Sequence, residues 1–184
     1  MKRFNPRTIL MAAALLAGIG TYGEAQILKV DLGQMVASTD GAVFGTIISK
    51  ETIRIDHPVD GPELYYTTLT IKGKDLASNK PTQVSVSFPG GFIDAEHGVY
   101  NSEAPAEDVI APGKQVVAFH KWSDNMGGDF ASNALFASHG GVYSTFENKG
   151  NVIVQGRGDG YAIPTNTHLS RLQGNIQQFK SEQR

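Results

Sequence analysis

The sequence predicts a mainly β body with one short helix before it and one helix after it. Three observations carry this. The chain holds 21 glycines, and its apolar runs are short and separated by Gly, Pro, Asn and Asp turns. Thr82–Phe88 alternates cleanly, with Val84, Val86 and Phe88 on one parity and Gln83, Ser85 and Ser87 on the other. Helical spacing of apolar residues recurs only near the two ends.

The first 25 residues have the pattern of an export signal. Lys2, Arg3 and Arg7 precede the apolar run Thr8–Ile19, which is too short to span a bilayer, and Gly23 and Ala25 supply small residues before a cleavage point at Gln26. The expectation is a secreted or periplasmic protein with no membrane anchor after cleavage. The remainder, 26–184, is long enough for one domain with a true core and short for two.

The helix before the body spans Asp31–Thr39. Leu32, Met35 and Val36 share a face, Asp31 is its N-cap, and Gly33 weakens it. Ala42–Asp56 is a long strand whose first half is apolar on both faces. Gly45 inside it marks bending or the close approach of another backbone. The 57–62 segment is a loop.

Leu64–Lys72 is the next strand, with Tyr65, Thr67, Leu69 and Ile71 on one face and Tyr66, Thr68, Thr70 and Lys72 on the other. Gly73–Pro81 turns into Thr82–Phe88, whose serine face is expected to be wet, and Pro89-Gly90-Gly91 ends it. Phe92–Gly113 is the least regular stretch. At about 20 residues, a loop of this length is usually functional.

Lys114–Trp122 is apolar on both faces and reads as a central strand; Ser132–Ser138 is the next. Val142–Glu147 and Asn151–Gln155 form a hairpin across Asn148-Lys149-Gly150. Gly156–Asn166 is a loop. Thr167–Lys180 is the final helix, capped by Thr167, with Leu169, Leu172, Ile176 and Phe179 in one stripe to dock on the β body.

Composition excludes some chemistry. With no cysteine there are no disulfides, thiolate metal sites, cysteine nucleophiles or lipid-bearing cysteine. Removing 1–25 leaves 13 basic and 17 acidic residues, a formal −4, which argues against nucleic acid as a partner. No cofactor is expected.

Five histidines, His57, His97, His120, His139 and His168, form no H-x-H or H-x-x-x-H pair. Asp94, Glu96 and His97 are the one cluster offering oxygen and nitrogen ligands to a metal, against the simpler reading of a solvated acidic loop. His120, inside a strand, is expected to be a hydrogen-bonded structural histidine. There is no G-x-S-x-G, and Ser138-His139 is expected to point its side chains to opposite faces of a strand. Arg157-Gly158-Asp159 is an adhesion tripeptide in animal matrix proteins, here read as a flexible turn. Phe92, Tyr100 and Trp122 fall at strand ends or in loops, where they can build a binding surface.

The order of segments resembles a set of exported bacterial proteins of unknown function. The matching pieces are Asp40–Ile47, Tyr66–Ile71, Val84–Gly91 and Gly113–Phe119, within Leu32–Phe146. The family's Leu-Lys-Gly block is shortened to Ile71-Lys72-Gly73, which leaves the following connection open. The strand order is also similar to netrin-like and metalloproteinase-inhibitor domains, which are five-stranded OB-type barrels. This resemblance implies a Greek-key, OB-like barrel or a related β-sandwich. It does not imply that inhibition mechanism, because those inhibitors present an N-terminal cysteine to the protease zinc.

The functional expectation is an exported, non-enzymatic binding or inhibitor-like module. Its protein or peptide partner would engage the 92–113 segment and nearby strand ends. The alternatives are a hydrolase or metal-dependent enzyme centred on Asp94, Glu96 and His97, and a structural envelope or matrix protein.

Overall fold

The computed structural model describes residues 30–183; the expected export signal lies outside them. The body is mainly β, and five strands close into a barrel. These are β1 (Gly41–His57), β2 (Gly61–Asp75), β3 (Pro81–Pro89), β6 (Gln115–Ser123) and β7 (Ser132–Leu135). Around the wall the order is β1-β2-β3-β7-β6, and β6 returns to β1. All pairings are antiparallel except β3 with β7, which run parallel through Val86↔Asn133 and Ser87↔Ala134. This is the arrangement of an OB-like barrel.

β1 is long because it serves two neighbours. Gly41–Thr46 pairs with β6 on one side, while β2 runs along the other side of nearly the whole strand. The register shifts between Ile47 and Ser49, which bulges the strand and turns it around the barrel. Gly45 lies opposite Gly73, and a Cβ on either would sit well under 3.0 Å from the other strand's backbone. The close approach expected at Gly45 is therefore present. β2 continues past Gly73 to Asp75, so the connection left open by the shortened block is a turn over 76–79.

The double apolar face of β6 has two tasks. Val116 and Ala118 point into the barrel with Val43, Ile47, Leu69, Ile71, Val86 and Phe88. Val117 and Phe119 point outward, onto a second core shared with α1 (Leu32–Ser38) and α3 (Leu169–Glu182). Leu169, Leu172 and Ile176 are buried there, each contributing about 1.5–3 kcal/mol. Ile110, from the single-turn α2 (Glu107–Ile110), enters the barrel core.

Beyond β7, a left-handed Ala137 and a 3-10 turn (Ser138–Gly141) hand the chain to β8 (Val142–Asn148), which pairs with the same edge of β6. β9 (Asn151–Val154) follows across a two-residue turn with positive φ at Lys149 and Gly150, as the sequence predicts. β10 (Thr167–His168) pairs with β9.

Asp31 caps α1 through a reciprocal pair, accepting from the Gln34 N–H while the Gln34 side chain accepts from its own N–H. Four other expectations are corrected. α3 begins two residues late: Thr167 is held in the β10 bridge, and His168 is the N-cap without a side-chain bond. Ser87 is not wet but fully buried, because β7 and Ser132 cover it at the barrel seam. His139 lies in the 3-10 turn and not in a strand. Gly156–Gly160 is tied down: the Arg157 N–H donates to Ile163 O and the Gly158 N–H to Pro164 O, each at 3.0 Å.

Candidate functional site

The stretch expected to be irregular, 92–113, begins as a small hairpin. β4 (Gly91–Phe92) pairs with β5 (Gly98–Val99), placing Phe92 beside Gly98 and Val99 beside Gly91. Gly90 and Gly91 both have positive φ, at 93° and 122°, which lets the chain leave β3 at a sharp angle. A side chain at Gly91 would collide with Thr67 and Thr52 on the barrel wall. The base is clasped by polar bonds. The Gly90 N–H donates to Tyr65 O at 2.7 Å, the Thr67 hydroxyl to Gly90 O at 2.7 Å, and the Asn101 amide to Pro89 O at 2.8 Å.

The result is a firmly anchored hairpin with an apolar surface. Phe92 is 56% exposed, Ile93 51%, Val99 46% and Tyr100 80%. The register puts Phe92 and Tyr100 on one face of the hairpin and Ile93 and Val99 on the other, so each face opens two large apolar side chains to water. Beside it, Leu64, Tyr65, Tyr66, Pro89, Val99 and Tyr100 help line a groove of about 410 Å³. Tyr65 and Tyr66 are themselves buried, and the Tyr66 hydroxyl donates to Met126 O at 2.7 Å while its ring packs on Phe130. Burial pushes the Tyr66 phenol up, with the Asp60 charge adding to it, so this hydroxyl stays neutral.

The segment that carries the hairpin holds Asp and Glu without Lys or Arg. Residues 90–113 contain no Lys or Arg and five carboxylates: Asp94, Glu96, Glu103, Glu107 and Asp108. Glu107 is taken by Lys50. Glu63, at the groove, faces Arg54 at 3.2 Å.

The structure brings together part of the proposed metal cluster. Asp94 accepts from the N–H groups of Glu96 and His97, both at 2.8 Å, and meets His97 Nδ1 at 2.9 Å. The Glu96 backbone bond first, then His97, hold the Asp94 carboxyl below the usual carboxylate range. The trio thus forms a carboxylate-centred turn at the hairpin tip in which Glu96 takes part through its backbone. Among the described residues no three His, Asp or Glu side chains gather as a metal group.

Phe92 and Tyr100 belong to this one hairpin. Trp122 is half exposed near the end of β6; its N–H donates to Asp40 Oδ2 and its indole Nε1 to Asp124 Oδ1, both at 2.7 Å. No aromatic pairing among the described residues joins Phe92, Tyr100 and Trp122. Sequence reasoning missed Ile93 and Val99. A signal was present, since Gly91-Phe92-Ile93 and Gly98-Val99-Tyr100 repeat a glycine followed by two large side chains on either side of a turn.

His120 lies in β6 as expected, with one ring nitrogen left over. Its Nδ1 is buried with no hydrogen-bond partner among the described residues. Burial holds the imidazole below its ordinary value, outweighing Asn133, Asp40 and Asp75, which favour the proton.

No family model matches the chain, and no curated protein or solved structure matches it.

Proposed function

We propose that this chain is an exported, non-enzymatic binding or inhibitor-like module. It takes an extended apolar segment of a protein partner, flanked by Lys or Arg, at the β4–β5 hairpin. One observation carries the reading: Phe92, Ile93, Val99 and Tyr100 are all roughly half exposed or more on a hairpin bonded firmly to the barrel. A preformed apolar surface binds without a large ordering cost. Residues 90–113 carry five carboxylates and no Lys or Arg, of which Glu107 is paired with Lys50, and this acidic excess selects the flanks of the partner, since like charges at an interface rim disfavour the wrong partner. The groove lined by Tyr65, Tyr66 and Tyr100 supplies a place for one anchoring side chain.

The test is a displayed peptide library panned on the chain from Gln26 onward. Enriched sequences should carry two or more large apolar residues bracketed by Lys or Arg, and the double variant Phe92→Ser/Tyr100→Ser should lose them. Enrichment of acidic peptides, or equal enrichment on the variant, overturns the reading.

A further inference from the structure

A second concavity, of about 330 Å³, lies where α2, the 3-10 turn, β8 and the loop after β9 meet. We propose that it is a binding site for a small, partly apolar anion, whose carboxylate or phosphate is held by Arg157.

The position of Arg157 is built. Its backbone is tied to Ile163, and the preceding Gly156 is packed so closely on Thr165 that no side chain fits there. One guanidinium nitrogen, Nη1, donates to His139 O and to Val142 O. The guanidinium carbon sits 4.3 Å from the Tyr161 ring centre, a stacking geometry that suits arginine. Those contacts orient the group without neutralising it. Among the described residues no carboxylate lies within ion-pair distance of Arg157, and Nε and Nη2 donate to nothing. A guanidinium fixed by carbonyls and an aromatic face, on a residue that lines the cavity, keeps Nε and Nη2 for the planar fork that carboxylate and phosphate accept.

The rest of the lining fits an anion with an apolar tail. Ser144 and Gln155 reach the same cavity, and their side chains make no hydrogen bond among the described residues. His139 Nε2 meets the Tyr161 hydroxyl at 3.3 Å. The opposite edge of the ring, Nδ1, faces Glu103, with the carbonyl at 3.2 Å and the carboxylate at 3.5 Å. The Glu103 charge therefore stands behind His139, on the side away from Tyr161. Pro105, Val109 and Val142 supply the apolar wall. At about 330 Å³ the cavity is at the small end of ligand sites.

The site is independent of the hairpin and is tested separately, by calorimetric titration of the chain from Gln26 with butyrate, with butyl phosphate and with neutral butanol. Saturable millimolar or tighter binding of at least one anion is expected, with none of butanol; which anion binds tells carboxylate from phosphate chemistry. Arg157→Gln should weaken that binding by about tenfold or more, the loss of a charged hydrogen bond. Should that variant unfold, Val109→Phe, which narrows the cavity without touching Arg157, should weaken binding as well. The Phe92→Ser/Tyr100→Ser variant should bind the anion like the wild type. No saturable anion binding, or unchanged affinity in a folded Arg157→Gln or Val109→Phe chain, overturns the proposal.

Discussion

Gly45 and Gly73 stand opposite each other across β1 and β2, so close that neither strand has room for a Cβ on its partner's side. The contact lies where β1 carries β2 on one edge and β6 on the other, so it sets how tightly the barrel wraps. Gly73→Ala should therefore destabilise the fold by on the order of 2 kcal/mol, the typical cost of overpacking. Urea denaturation checks it, and an unchanged midpoint would show that the strands separate freely.

The barrel closes on a short seam. Only two residue pairs join β3 to β7, and side chains add to them: Ser87 bonds Thr68 and Ser132, each at 2.8 Å, and Asn133 donates to Ser85 O at 3.2 Å. Ser87→Ala should cost about 1–2 kcal/mol, because it leaves buried hydroxyls short of a partner. At about 2–4 °C per kcal/mol, the shift is readable by thermal melting.

These two places show how much of the fold was legible. Gly45 announced a close approach because a glycine inside an apolar strand has few other uses. Gly73 did not, since Gly-Lys-Asp after a strand has the composition of a turn. Local patterns gave the β1–β2–β3 run, the 149–150 hairpin and the Leu169, Leu172, Ile176 stripe. The parallel β3–β7 seam joins residues about 45 positions apart, and periodicity carries no information about such partners. Ser87 was read as wet for that reason. The cavity beside Arg157 was hidden in the same way, because His139 comes from the 3-10 turn while Arg157 and Tyr161 come from the loop after β9. Of the exposed hairpin side chains, Phe92 and Tyr100 were legible as aromatics at strand ends, while their union in one hairpin was not.

His120 makes stability depend on pH. The unfolded chain takes up the imidazole proton near 6.5, whereas burial holds the folded-state value lower. The contribution is complete above 6.5 and is lost progressively as pH falls from there toward the folded value. Denaturation midpoints at about pH 7.5 and about pH 5.5 should differ, with the acid side weaker. His120→Leu removes both the titration and the unpartnered Nδ1. It should reduce the pH difference without lowering the midpoint at the higher pH.

Asp94 does the same for the hairpin tip at lower pH. Its carboxyl is held below the usual range, so the turn persists above that range and loosens as the pH falls through the folded-state value. The amide signals of Glu96 and His97 should move together in an acid titration, with a midpoint below that of an ordinary aspartate. Asp94→Ala should abolish that transition and raise hydrogen exchange at Ile93, whose N–H donates to His97 O.

The central claim is that the hairpin is where a protein partner docks. The most direct measurement is side-by-side affinity capture, from cells and medium of the source, by the wild-type chain and by Phe92→Ser/Tyr100→Ser, with equal melting temperatures verified first. The prediction is a partner retained by the wild type, lost by the variant, and carrying an exposed apolar segment flanked by Lys or Arg. Identical capture by the two chains, or recovery of nothing but the bait from both, would contradict it.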